Sequence, residues 1–288
     1  MTIKHLVLGG GGAAGFTVYG ALRYLNQQGI YSKENIESIY SSSAGSIIAA
    51  LILLTDSWEL LDDYILKRPW DKLITINPID IFNLWQQKGI FNEEMVKSII
   101  KPFLQAKDLD ENITLKELYD INHIQLNFFT TNINSIELET IKLSHVSHPN
   151  LTFCKAISMS AAFPMMFIPI YDCSNCYIDG GLLNNFPLND CMEVNSNPEE
   201  ILAIKILSIS NYQKIDSNTL LPLYLYNIIF KMYNLVNGDK THKIIPNIIE
   251  CVIENNSLTR WANAVSDVKI RQEYIEIGEK NAKYFIEN

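Results

Sequence analysis

The stretch Ile39-Tyr-Ser-Ser-Ser-Ala-Gly-Ser46 joins an apolar, strand-like segment to the apolar run Ile47 to Leu54. This run has no polar face, so we predict a buried helix. A small-x-Ser-x-Gly turn between a buried strand and a buried helix is the pattern of a nucleophile elbow, which pushes a serine hydroxyl out of the sheet. The spacing makes Ser43 the candidate nucleophile, and Gly45 lets the helix pack close to the strand. The alternative is a serine-rich loop that caps a helix.

A glycine-rich turn precedes the serine turn. Residues 3–8 predict a buried parallel strand that leads into Gly9-Gly-Gly-Gly-Ala-Ala-Gly15, and Val18, Leu22 and Leu25 then recur at helical spacing. Strand, glycine loop, helix, strand, serine turn and helix, in this order, predict an α/β fold. We expect a mostly parallel central sheet flanked by helices.

The glycine loop has three interpretations. The spacing Gly10-x-Gly12-x-x-Gly15 matches the dinucleotide fingerprint, which needs an acidic residue at the end of the second strand, where this chain has Tyr40-Ser-Ser42. Alternatively, the N–H groups of Gly10, Gly11 and Gly12 form an oxyanion hole. The neighbouring serine turn favours the oxyanion hole, and a tight turn without a ligand is the third possibility.

The second decisive stretch is Cys176-Tyr-Ile-Asp-Gly-Gly-Leu-Leu-Asn-Asn-Phe-Pro187. It predicts a short strand that ends at Asp179. Gly180 and Gly181 follow, and we expect them to allow a backbone turn that other residues resist. Late in an α/β fold, Asp179 stands where an acid partner of Ser43 can be presented. The alternative is an ordinary turn.

The remaining segments carry no evident chemistry. We expect a helical insertion at about 57–120 and two strands, Gln125 to Thr131 and Glu137 to Leu143, joined as a hairpin. An apolar and aromatic segment at about 217–238 suits a lid or a bilayer interface, and it equally suits a core helix. A final polar helix is predicted from about Ala262 to Phe285.

Composition excludes several classes of protein. The chain has 288 residues, of which 48% are hydrophobic and 19% charged, and this predicts one globular domain spanning 1–288. The net charge of −9 argues against a partner nucleic acid. Cys173 and Cys176 are a weak zinc signal, and His145 and His148 lack a third ligand nearby, so we predict no metal site. Neither a signal peptide nor a membrane-spanning run is evident, which predicts an intracellular protein that is at most peripheral at membranes.

Together these stretches resemble the patatin-like phospholipases over about residues 3–207. The loop Gly9 to Gly15 is similar to the oxyanion loop of that family, and Ser43 matches its nucleophile. The turn Asp179-Gly-Gly181 matches the turn that carries its catalytic acid. The segment Ser158 to Pro164 is also similar to a family segment.

The resemblance implies a patatin-like three-layer sandwich and a Ser43–Asp179 dyad that hydrolyses fatty-acyl esters without a metal or another cofactor. A carboxylate with an ordinary pKa of about 4 is a poor base for serine, so we expect Asp179 to be partly buried. The implied substrate is a lipid or phospholipid, reached by transient contact with a membrane surface. An activating protein stays an open possibility.

Two positions depart from the family pattern. Ser41 stands where the family has an elbow glycine, and Ala14 stands where it often has Lys or Arg. Because Ala14 carries no positive charge, the sequence favours a neutral acyl ester over a phosphate-bearing substrate. Two rival functions fit the sequence: a scaffold or binding protein that keeps the fold without useful turnover, and a nucleotide-binding domain.

Overall fold

A computed structural model describes residues 2–73, 84–195, 197–208, 214–238, 242–254 and 257–288. The strands are β1 (His5–Leu8), β2 (Ser38–Ser42), β3 (Gln125–Asn132), β4 (Glu139–Leu143), β5 (Ile170–Asp172), β6 (Asn175–Asp179), β7 (Ile201–Ser208) and β8 (Ile248–Ile253). The first helices are α1 (Gly15–Gln27), α2 (Ala44–Leu54), α3 (Trp58–Lys67), α4 (Trp70–Leu73), α5 (Glu93–Ala106) and α6 (Leu115–Asn122). They are followed by α7 (Phe153–Ser160), α8 (Gly181–Asn184), α9 (Leu188–Val194), α10 (Leu221–Gly238), α11 (Leu258–Ser266) and α12 (Val268–Glu287).

The described strands form one eight-stranded sheet in the order β5-β6-β3-β2-β1-β7-β8, with β4 paired to β3 outside this path. The parallel pairs are β1 with β2, β1 with β7, β2 with β3 and β7 with β8. The antiparallel pairs are β3 with β4, β3 with β6 and β5 with β6. The predicted α/β fold with a mostly parallel sheet flanked by helices is confirmed, as is the hairpin of β3 and β4.

Strand β3 brings the ends of β2 and β6 together. Ser42, the last residue of β2, pairs with Phe129, and the next residue of β3, Thr130, pairs with Asp179 at the end of β6. Strand β4 occupies the other edge of β3 at both positions. The carboxyl ends of β2 and β6 therefore face each other along one edge of β3.

Both faces of the sheet are covered. On β1, Leu6 and Leu8 pack in a large hydrophobic cluster with α1 and α2, whereas Val7 packs with Tyr40 and Leu188 in a smaller cluster. Alternate side chains of a strand point to opposite faces, so a strand that is apolar throughout needs cover on both sides. Because Leu188 belongs to α9, the sheet lies between two helical layers.

Helix α12 packs directly on the backbone of α1. A methyl group on Gly20 of α1 would overlap the carbonyl oxygen of Ile275, and one on Gly278 of α12 would overlap that of Thr17. Two glycines thus allow the two helices to touch along their backbones.

The C-terminal segment forms two helices, so the predicted single helix from Ala262 to Phe285 is wrong. The break lies at Asp267, whose carboxylate accepts a hydrogen bond from the N–H of Lys269 at 2.8 Å. An Asp N-cap satisfies a backbone donor that has no partner within the new helix.

Buried Arg271 ties α12 to two other helices. Its guanidinium donates to the carbonyl oxygens of Ile65 and Leu66 in α3 and of Ala264 and Val265 in α11. The last carbonyl groups of a helix have no partner within it and carry partial negative charge, so they stabilise a buried cation.

The expected insertion at about 57–120 contains α3 to α6, and its residues 74–83 lie outside the described part. The expected lid segment at about 217–238 contains α10. Among the helices that the structure describes, none is both long and apolar enough to cross a membrane.

Candidate active site

Ser43 lies in the turn between β2 and α2, with φ 54° and ψ −131°. A positive φ is unusual for a residue other than glycine, and such a conformation costs on the order of 1–3 kcal/mol. Close packing holds it, because a methyl group on Gly45 would lie 2.5 Å from the carbonyl oxygen of Leu8. The start of α2 therefore rests directly on the end of β1.

A chain of serine hydroxyls supports this turn. The N–H of Ser43 donates to Ser160 Oγ at 3.1 Å, which lies 2.9 Å from Ser46 Oγ. Ser46 Oγ in turn lies 3.2 Å from the Oγ of Ser41, a fully buried residue. Ser41 thus fits at the family's glycine position because its hydroxyl has a partner. In the sequence, Ser160 is marked only by the resemblance of the segment Ser158 to Pro164 to a family segment.

The Ser43 hydroxyl donates a hydrogen bond of 2.6 Å to Asp179 Oδ2. Asp179 is 1% exposed, so its burial is complete rather than partial. Burial raises the pKa of Asp179 to about 7, although hydrogen bonds from Ser43 and from the N–H of Gly181 act in the opposite direction. A carboxylate of this kind can take a proton near neutral pH.

The glycines after Asp179 serve a different purpose from the one predicted. Gly180 has φ −66° and ψ −25°, and Gly181 begins α8, so both have conformations open to any residue. The expectation of a turn that only glycine allows is therefore wrong. The requirement is steric, because a methyl group on Gly180 would overlap the carbonyl oxygen of Phe129.

The glycine loop after β1 is held by Asn185. The N–H of Gly10 donates to the Asn185 carbonyl oxygen at 3.2 Å, and Asn185 Nδ2 donates to the Gly10 carbonyl oxygen at 3.1 Å. Because this N–H already donates within the protein, the structure does not support the prediction that Gly10 is an oxyanion-hole donor. Gly12 has φ 57° and begins the short 3-10 turn Gly12–Ala14 that leads into α1. The first N–H groups of a helix have no partner within it.

Two helix N-termini meet beside Ser43. A methyl group on Gly15, the first residue of α1, would lie 3.0 Å from the Cβ of Ala44, the first residue of α2. Helix N-termini carry partial positive charge, so this is a favourable place for an anion. An acidic residue that could hold a ribose is not found at the end of β2, where Ser43 follows instead.

A cavity of about 500 Å³ joins these groups. Ser43, Asp179 and the three glycines line it together with apolar side chains from α1, α2, α3 and α5: Phe16, Ile48, Leu51, Ile65, Met95 and Ile99. Helix α10 adds Tyr226, Phe230 and Tyr233, whose rings stack in sequence. Trp261 of α11 reaches the glycine loop, where its Cδ1 would lie 3.2 Å from a methyl group on Gly12.

One histidine lies at the cavity, and the two histidines considered as metal ligands lie elsewhere. His242 also lines the cavity, edge-on to Phe186 with 5.1 Å between ring centroids, and no motif in the sequence marks it. His145 stacks on Tyr119, and His148 bonds to its neighbouring serine. Within the described residues, no cluster of three or more His, Cys, Asp or Glu side chains could hold a metal ion. Cys173 and Cys176 are both free thiols.

Comparison with known proteins gives relatives among viruses. The chain is 30% identical over 186 residues to an uncharacterized protein of Acanthamoeba polyphaga mimivirus, a match that covers 65% of this chain and 60% of the relative. It is 28% identical over 262 residues to a protein of Invertebrate iridescent virus 6 named "Probable lipid hydrolase 463L", with coverage of 87% and 83%. The chain thus spans less than two thirds of the mimivirus protein.

Among solved structures, VipD from Legionella pneumophila matches 99% of this chain and 67% of its own length, with a TM-score of 0.53 and 18% identity. This likeness concerns the fold alone. The family model "Patatin-like phospholipase" matches residues 6–192, which include the glycine loop, Ser43 and Asp179. The chain therefore belongs to the patatin-like phospholipase family.

Proposed function

We propose that this protein is a lipid acyl hydrolase of the phospholipase A or lysophospholipase type. Ser43 attacks the ester carbonyl and forms an acyl-enzyme, and Asp179 acts as the general base. The observation that carries this proposal is the 2.6 Å hydrogen bond from Ser43 Oγ to Asp179 Oδ2.

Acid–base chemistry supports the pairing. The raised pKa of Asp179, about 7, makes its carboxylate a stronger base than an exposed aspartate while leaving it ionised in part at neutral pH. The acylation step moves the Ser43 proton to Asp179, which then donates it to the leaving alcohol. No histidine is needed for this cycle.

The glycine loop is proposed as the oxyanion hole. Gly10 holds the loop through its two hydrogen bonds with Asn185. Gly11 and Gly12 line the cavity beside Ser43, and the lack of side chains lets a substrate oxygen approach their backbone. The adjoining N-termini of α1 and α2 add favourable potential for a developing oxyanion.

The cavity lining supports a long acyl chain as the acid part of the substrate. Its walls from α1, α2, α3 and α5 are apolar, which suits hydrocarbon and excludes water from the ester. Ala14 is buried in the larger hydrophobic cluster and offers no charge. Lys205 of β7 lines the cavity, and we propose it as the cation that meets the phosphate of a phospholipid.

Helix α10 is proposed as a lid that contacts the lipid surface. Its inner face carries the three stacked aromatic rings over the cavity. Its outer face exposes Leu221, Tyr224, Ile228, Met232 and Leu235, which recur at helical spacing. With apolar residues on both faces and Lys231 as its single charged residue, this helix can cover the cavity on one side and meet a lipid surface on the other.

The test is release of fatty acid from phospholipid and neutral-lipid vesicles in a calcium-free buffer. We expect wild type to be active and Ser43→Ala and Asp179→Asn to lose at least about 1,000-fold in rate. The wild-type rate should rise with pH through about 7 as the pKa of Asp179 dictates. Lys205→Met should lower the rate on phospholipid more than on neutral lipid.

A histidine base would titrate in the same range, so His242→Gln is the matched control. We expect this variant to keep the pH profile of wild type. Loss of the pH dependence in His242→Gln, or full activity in Asp179→Asn, would assign the base to another group. Inactivity of wild type on every lipid would favour the scaffold function.

A further inference from the structure

Asn185 carries a buried side-chain oxygen that accepts no hydrogen bond from the described residues. The residue is 7% exposed and lines the cavity together with Ser43 and Asp179. Its Nδ2 donates to the carbonyl oxygen of Gly10, and this bond determines which end of the amide is oxygen. A buried acceptor without a donor costs about 1–3 kcal/mol, so its retention points to a donor that arrives with the reaction.

Two glycines show where this oxygen lies. A methyl group on Gly10 would overlap Asn185 Oδ1 and lie 2.7 Å from the Cβ of Ser43. A methyl group on Gly181 would lie 2.7 Å from Asn185 Oδ1 and 2.9 Å from Asp179 Oδ1. The oxygen therefore lies on the side of the cavity that holds the candidate dyad, and both positions are glycine because a larger residue would overlap it.

We propose that Asn185 Oδ1 accepts a hydrogen bond from the water that hydrolyses the acyl-enzyme, and so favours water over alcohols as the acyl acceptor. This inference rests on the acyl-enzyme at Ser43 proposed above. Water has two O–H groups, of which one donates to Asp179 and the other to Asn185. An alcohol has one O–H group, which Asp179 takes, so its approach leaves Asn185 Oδ1 unpaired.

The bonds of this step balance without another reactant. The water oxygen bonds to the acyl carbon while one water proton moves to the Asp179 carboxylate. The bond between the acyl carbon and Ser43 Oγ then breaks, and Oγ takes the proton from Asp179. The products are a free fatty acid, which keeps the second water proton until it ionises, and the restored serine hydroxyl.

Asn237 of α10 offers a matched control of the same residue type. The N–H of Asn185 donates to Asn237 Oδ1 at 3.0 Å, and Asn237 Nδ2 donates to the Gly181 carbonyl oxygen at 2.8 Å. Asn237 thus holds the backbone at both ends of α8 and makes no hydrogen bond to the unpaired oxygen. Its loss loosens the loop and leaves the acceptor in place.

The experiment measures how the acyl-enzyme partitions between water and added methanol, as the ratio of free fatty acid to methyl ester. In Asn185→Leu we expect this ratio to fall about tenfold, the effect of one hydrogen bond made in the transition state. Asn185→Asp keeps an acceptor oxygen, so its ratio should stay within about twofold of wild type even if total activity falls. Asn237→Leu should likewise keep the wild-type ratio.

An unchanged ratio in Asn185→Leu would overturn the inference and leave Asn185 as a residue that only positions the loop. An equal fall in Asn237→Leu would overturn it too, because loosening alone would then suffice. If Asn185→Leu does not fold, Asn185→Ala, which also lacks an acceptor, replaces it with the same expectation. Intact-mass detection of the acyl-enzyme separates the two proposals: its absence in wild type counts against the dyad mechanism, whereas its presence with an unshifted ratio counts against Asn185 alone.

Discussion

Strands β2 and β6 end beside neighbouring residues of β3, and the turn that follows each strand holds one residue of the candidate dyad under strain. The kind of strain differs between the two turns. At Ser43 the backbone is strained, because φ is 54° in a residue that is not glycine. After Asp179 the backbone is relaxed, with Gly180 at φ −66°. The cost at this turn is the burial of a carboxyl group away from water. One turn is conformationally strained, and the other is electrostatically strained.

This difference teaches that glycine, strain and function need not coincide. Ser43 occupies a conformation that favours glycine, and it carries the hydroxyl that we propose as the nucleophile. Gly180 occupies a conformation open to any residue and is glycine because β3 passes too close. The two kinds of strain should respond differently to mutation and to pH.

The largest loss of stability is expected for Gly180→Ala. Its methyl group would overlap the carbonyl oxygen of Phe129, and a backbone atom of a central strand cannot move aside. We expect a loss of about 3 kcal/mol in the free energy of unfolding, measured by urea denaturation. Gly238→Ala is the control, because no atom lies within 4 Å of its added methyl group. A loss of stability no larger than in the control would show that strand β3 shifts to make room for the methyl group.

Asp179→Asn should stabilise the protein while it removes activity. The carboxyl pKa is about 7 in the folded protein and about 3.8 when exposed, so ionisation favours the unfolded chain as the pH rises between these values. Below about pH 3 the group is protonated in both states and contributes nothing. We expect a gain of about 4 kcal/mol at pH 8 that disappears at pH 3, measured by urea denaturation at both values. A gain that does not depend on pH would assign the effect to packing.

Ser43→Gly compared with Ser43→Ala isolates the backbone strain. Both variants lose the hydroxyl, but only glycine adopts the positive φ without a steric cost. We expect Ser43→Gly to be about 1 kcal/mol more stable than Ser43→Ala, by thermal denaturation at any pH between 5 and 8. Equal stability of the two variants would mean that the turn relaxes once the serine is gone.

The sequence predicted the features that depend on neighbouring residues. The Ser43 turn, the glycine loop and the hairpin of β3 and β4 each follow from a local pattern of size, polarity and period. The fold class follows from their order along the chain. Ser43 and Asp179 could be named from these motifs together with the family resemblance.

Features that depend on distant pairing were beyond the sequence pattern. The register that sets Ser42 and Asp179 on adjacent positions of β3 is fixed by strands far apart in the chain. The same holds for the pairing of Asn185 with Gly10, which joins residues 175 positions apart. The steric reason for Gly180 requires the position of Phe129, which no local pattern contains.

The backbone contact between α1 and α12 has a consequence for the order of events during synthesis. Helix α1 continues directly from the glycine loop, but its contact around Gly20 forms only when α12, which carries Gly278, is present. On the ribosome, the proposed oxyanion loop therefore lacks its full support until translation has passed α12. The proposed activity would then begin only after α12 has left the exit tunnel.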